Sequence, residues 1–69
     1  MIGTAMTFHA DGGSILFVVS KITKRPNGNF NVEGKVDKIM STAPYLEFYN
    51  NTIKLDDVTA EEINEKTIK

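Results

Sequence analysis

The chain predicts a mainly β domain, a small barrel or strongly curled antiparallel sheet of four to five strands with one short C-terminal helix. Three observations point there. Turn signals fall at Asp11-Gly12-Gly13, at Pro26-Asn27-Gly28-Asn29 and at Asn50-Asn51. The runs between them are apolar or alternating and of strand length. A helix-start sequence opens at Thr59 and sets a helix over 59–68. An open sheet of four or five strands with the helix packed across one face is the alternative arrangement.

Each element has its own warrant. Residues 2–9 place Ile2, Thr4, Met6 and Phe8 in one alternating phase, as a first strand does. Asp11-Gly12-Gly13 then reverses the chain, since glycine accepts positive φ. Ser14 to Thr23 is the strongest strand. Its centre, Ile15-Leu16-Phe17-Val18-Val19, is apolar throughout, which suits a strand covered on both faces or lying mid-sheet. Asn27-Gly28 reads as a type I′ turn, with Pro26 kept out of the strand because it cannot donate to a ladder. On the return strand, Phe30, Val32 and Val36 face one way, and Asn31, Glu33, Lys35 and Asp37 the other. The phase breaks before Ile39, so a bulge is expected there, with Gly34 making room for the bend. Tyr45 to Tyr49 forms the next strand, with Leu46 and Phe48 inward. Ile53 and Leu55 alternate with Lys54 and Asp56 in the last. Thr59-Ala60-Glu61-Glu62 is a capping box, and Val58 with Ile63 a hydrophobic staple. Glu61 and Glu62 suit the helix N-terminus, and Lys66 and Lys69 its C-terminus.

Sixty-nine residues make one domain. A chain this short buries only about 60% of its unfolded surface, so packing or self-association must support a marginal core. Without cysteine it has neither disulfides nor thiolate metal sites. That usage suits a reducing compartment, and the expectation is a cytoplasmic protein. No apolar run reaches the roughly 18 residues of a membrane span, and no secretory leader is recognisable. The formal net charge is −1, which gives no bulk attraction to nucleic acid. The charge is unevenly placed. Residues 1–40 hold five cations against three acids, whereas residues 41–69 hold six acids against three lysines.

Few residues invite chemistry. His9 and Asp11 form an H-x-D pair near a turn, but no further ligand or nucleophile stands at a useful spacing, so the pair reads as a polar strand end. No metal, cofactor, catalytic residue or small-molecule substrate is expected. Asp56, Asp57, Glu61 and Glu62 gather acids at the helix start. They lack calcium-loop spacing, which leaves helix-start acids or, in Asp56 and Asp57, an acidic protein-contact surface. Tyr45 and Tyr49 are opposite in phase to Leu46 and Phe48. They either anchor a partner or cover the open mouth of the barrel. Lys21, Lys24, Arg25, Lys35 and Lys38 lie on two arms of one hairpin, with Lys21 and Lys35 directly or diagonally opposed. Such a ribbon can contact phosphates, with Tyr45, Tyr49 and Phe30 as stacking rings, although Glu33 and Asp37 share its polar face.

Two segments carry a resemblance. Val32-Glu33-Gly34-Lys35-Val36-Asp37-Lys38-Ile39 is followed, after a short strand, by Asn51-Thr52-Ile53-Lys54-Leu55-Asp56-Asp57-Val58. A strand with a central glycine, a strand, a turn and an I-x-L-x-D-V strand entering a short helix resemble Sm-like small barrels, YolD-like proteins in particular. The likeness covers roughly residues 14–63 and rests on motifs of low specificity. It implies an SH3-like five-stranded barrel with a binding or accessory role beside nucleic-acid or repair machinery. The longer N-terminal segment of YolD-like proteins, the N-terminal helix of Sm proteins and the Sm RNA-binding loops are absent, so the fold carries over better than any function.

The functional expectation is a non-catalytic protein-binding or accessory module, of the size common among phage and mobile-element factors. Tyr45, Tyr49, Asp56 and Asp57 are its contact residues, on a protein partner or a second copy. The alternative is a nucleic-acid-binding barrel using the hairpin over 21–38.

Overall fold

A computed structural model describes residues 1–42 and 51–69. Five strands and one helix follow in order: β1 (Ala5–Ala10), β2 (Gly13–Lys24), β3 (Phe30–Val36), β4 (Thr52–Val58), α1 (Ala60–Glu65) and β5 (Thr67–Ile68). The strands form one sheet ordered β4-β3-β2-β1-β5, strongly curled into a half-barrel. The expected fold class is therefore present. The strand expected at Tyr45–Tyr49 lies outside the described residues.

The all-apolar β2 occupies the middle of the sheet. Ile15, Phe17 and Val19 point into the concave core, whereas Val18 is 42% exposed on the convex face. Met6, Val32, Val36, Ile53, Val58 and Ile68 complete the buried set, with Phe8, Ile22, Phe30, Leu55 and Ile63 packed around it. Phe30 is thus an inward residue rather than a stacking ring. At the N-terminus the Met6–Phe8 phase holds, but the strand begins at Ala5 and Ile2 stands exposed.

The sheet bends at places other than the one expected. β3 ends at Val36, and Ile39 lies beyond it in a turn, so the phase break before Ile39 marks the end of a strand and not a bulge. The bulges sit on the neighbouring strands. Val19 pairs with Gly34 but Lys21 pairs with Glu33, which leaves Ser20 as the extra residue of β2. Phe30 pairs with Val58 but Val32 pairs with Leu55, which puts Asp56 and Asp57 opposite Asn31 alone. An extra residue on one strand raises the local twist, and two bulges curl the sheet around Gly34 and Val32. Gly34 does serve close approach: a Cβ there would lie 2.5 Å from Phe17 Cδ2 and 2.6 Å from the Val18 carbonyl oxygen.

The β2–β3 connection is not the type I′ turn expected. Gly28 N donates to Arg25 O (3.0 Å), and Arg25 N donates to Asn29 O (2.7 Å). Gly28 has φ +90° while Asn27 keeps negative φ. This is a type I turn closed by a glycine bulge, the usual three-residue hairpin loop. Pro26 explains the choice, because its fixed φ near −65° suits the second position of a type I turn and excludes type I′ there.

The helix starts as expected and stops early. Thr59 Oγ1 accepts from Glu62 N (3.1 Å), and Glu62 Oε1 accepts from Thr59 N (3.0 Å). Lys66 takes a left-handed φ of 59° as the C-cap, so neither Lys66 nor Lys69 serves a last helical turn. Thr67–Ile68 then form β5, which pairs in parallel with Thr7–Phe8. Ile68 is buried through that strand rather than through the helix. α1 thereby links the two outermost strands of the order, β4 and β5, advancing the chain about 9 Å between them.

Candidate functional site

Of the charged residues singled out in the sequence, Arg25 and Asp57 meet at the hairpin tip, and Lys21 pairs with Glu33 on the convex face. Asp57 lies in the β4 bulge at φ +60°, which turns its side chain toward the hairpin loop. Its Oδ1 accepts from Asn27 Nδ2 (2.9 Å) and Asn29 Nδ2 (3.0 Å), and Arg25 Nε approaches to 3.5 Å. Asn31 Oδ1 accepts from Arg25 Nη1 (2.9 Å) and Asp57 N (3.2 Å). Five residues thus clamp the loop onto β4. The amide hydrogen bond from Asn27, then that from Asn29 and the Arg25 charge, hold the Asp57 carboxyl below its ordinary pKa. Arg25 and Asp57 were expected on two separate surfaces, one basic and one acidic; they face each other. Asp56, the neighbouring acid, is exposed.

A second group lies on the convex face. Glu33 sits between Lys21 (3.9 Å) and Lys54 (3.8 Å), one on each neighbouring strand. Lys21 therefore opposes Glu33 directly and has Lys35, two residues further along β3 and opposite Val18, only as its diagonal neighbour. The hairpin loop sets that register, which runs unbroken from Lys24 and Phe30 to Lys21 and Glu33; the Ser20 bulge shifts only the pairs beyond it. Lys24, Lys35 and Lys38 are exposed along the same hairpin and its exit. Tyr45 and Tyr49 lie outside the described residues.

A feature the sequence reading missed follows β3. Residues 37–42 form a turn held to β2 by hydrogen bonds. Asp37 Oδ1 accepts from Ile39 N (3.0 Å) and Met40 N (3.2 Å). Ser41 Oγ donates to Asp37 O (2.7 Å) and accepts from Leu16 N (3.0 Å). Thr42 and Ser14 exchange two bonds: Thr42 N donates to Ser14 O (2.8 Å), and Thr42 Oγ1 accepts from Ser14 N (2.9 Å). On this fixed frame Ile39 is 93% exposed and Met40 62%. The signal in the sequence was Asp37 two residues before Ile39, the spacing at which an aspartate caps its own turn. The expected bulge concealed it.

His9 and Asp11 remain exposed near the β1–β2 turn. Among the described residues, no three His, Asp or Glu side chains gather closely enough to hold a metal ion. No described helix is long and apolar enough to cross a membrane. Compared with protein families, with curated proteins and with solved structures, the chain finds no match in any of the three.

Proposed function

We propose that this chain is a non-catalytic protein-binding or accessory module acting through protein–protein contact. The observation that carries the reading is the 37–42 turn. Two large apolar side chains stand in water on a backbone already fixed by hydrogen bonds to β2. A partner that covers Ile39 and Met40 gains apolar burial without ordering the loop, which is how a few anchors dominate an interface. Met40 adds a side chain that adapts to an irregular pocket. Kinship with Sm-like small barrels, YolD-like proteins among them, belongs to this proposal. Its support is the glycine-centred β3, the Ile53-Leu55-Val58 strand and the short helix after it.

The alternative is a nucleic-acid-binding barrel using Lys21, Lys24, Arg25, Lys35 and Lys38. The pairing of Lys21 with Glu33 and Arg25 with Asp57 reduces the positive field it requires. The test is affinity capture by the wild type beside Ile39→Ser/Met40→Ser, with sedimentation of each to read self-association. A polar turn is expected to abolish capture or self-association while thermal stability is unchanged. Equal capture and equal mass for the two proteins would remove the turn as the contact surface.

A further inference from the structure

The loop that Asp57 clamps holds a reactive pair. The chain has six asparagines, at 27, 29, 31, 50, 51 and 64, and only Asn27 is followed by glycine. Without a side chain, Gly28 leaves its amide nitrogen open to attack the preceding side-chain amide. Asn27 and Gly28 are both exposed, so water and hydroxide reach them. In the folded loop the nucleophilic nitrogen and both polar atoms of the Asn27 amide are hydrogen-bonded. Gly28 N donates to Arg25 O (3.0 Å), Asn27 Oδ1 accepts from Asn29 N (3.0 Å), and Asn27 Nδ2 donates to Asp57 Oδ1 (2.9 Å).

We propose that Asn27 is a self-modifying site, held unreactive by the Asp57 clamp and converted to aspartate or isoaspartate when the clamp opens. Hydroxide removes the Gly28 amide proton, and the nitrogen attacks Asn27 Cγ. The Gly28 N–Cγ bond forms, the Cγ–Nδ2 bond breaks, and ammonia leaves with a proton from water. Water then opens the five-membered imide at either carbonyl, giving aspartate or isoaspartate. The new carboxylate faces the Asp57 carboxylate where a donor stood, and like charges at that distance repel. Conversion therefore keeps open the clamp whose opening allowed it, and marks chains whose hairpin has loosened.

The test incubates the wild-type chain and Asp57→Gly at mildly alkaline pH and follows each asparagine by peptide mapping, reading the amide-to-acid mass gain. Glycine suits the φ of +60° at the bulge, so the variant removes the acceptor while keeping the backbone. Conversion is expected first at Asn27, about tenfold faster in Asp57→Gly than in the wild type, because the reaction waits on local opening. Asn27→Asp is expected to melt lower than the wild type, and adding Asp57→Gly to it should cost nothing further. Equal rates in the two folded proteins, or faster conversion at another asparagine, would overturn the proposal. If circular dichroism shows Asp57→Gly unfolded, the folded wild type beside the same chain in urea decides: slower conversion in the folded chain supports the clamp, and equal rates overturn it.

Discussion

Gly34→Ala isolates the contact around which the sheet curls. The backbone at Gly34 is not in the left-handed region, so alanine meets no conformational penalty there, and the whole cost is steric. The added Cβ would stand 2.5 Å from Phe17 Cδ2, 2.6 Å from Val18 O and 3.1 Å from Val18 C. Phe17 is fully buried, so its ring has no open side to move toward. The carbonyl belongs to the central strand and retreats only if β2 and β3 part. Overpacking of this kind costs about 1–3 kcal/mol, and a backbone obstacle places this case at the upper end. At about 0.05–0.15 kcal/mol per residue, a chain of 69 residues holds roughly 3–10 kcal/mol in all. The variant therefore loses a third or more of its stability, a fall in Tm of roughly 10–20 °C. Urea unfolding followed by circular dichroism reads the change as a shift in midpoint at constant slope. Phe17→Leu removes part of the obstruction, so the double variant is expected to be less destabilised than the two single changes sum to, by about 1 kcal/mol. A Gly34→Ala protein within about 0.5 kcal/mol of the wild type would refute the close packing of β2 on β3.

Two further outcomes follow from the caps and the clamp. Asp57 and Glu62 both have carboxyl groups held below their ordinary pKa, Asp57 by the Asn27 amide first and Glu62 by the Thr59 backbone N–H first. Groups depressed in the fold stabilise it above their unfolded pKa and lose that contribution as pH falls through the folded value, so the window lies below about pH 4. An acid titration of Tm should fall there in the wild type and fall less in Asp57→Asn; parallel curves would deny Asp57 a share. Thr59→Ala removes the acceptor for Glu62 N, at a cost of about 1 kcal/mol. Because Glu62 Oε2 also accepts from Lys69 N (3.0 Å), hydrogen exchange should quicken across 66–69 as well as in α1. Quickening confined to the helix would contradict that link.

The elements legible in the sequence were those set by local chemistry. Period-two alternation placed Val32 and Ile53 on one face, the all-apolar run placed β2 in the middle of the sheet, and the capping box placed the start of α1. The misread parts depend on partners distant in sequence. Ser20 becomes a bulge because Gly34 across from it lets the strands close, and no property of Ser20 itself announces that. β5 has two residues and exists only because β1 offers an edge at Thr7 and Phe8. The helix expected over 59–68 ran through Lys66, whose left-handed conformation no glycine signalled. The site was legible as residue types but not as partners. Arg25 and Asp57 are 32 positions apart, and only the β3–β4 register, together with the second bulge, brings them face to face.

Lys21 pairs with Glu33 and Arg25 with Asp57, and the binding mode proposed above is apolar contact through the 37–42 turn rather than attraction to phosphate. Fluorescence anisotropy of labelled single- and double-stranded oligonucleotides, titrated with the wild-type chain at low and high salt, tests it most directly. No saturable binding is expected even at low salt. Saturable binding that weakens with salt and disappears on charge reversal at Lys24 and Lys35 would contradict it and assign the hairpin to nucleic acid.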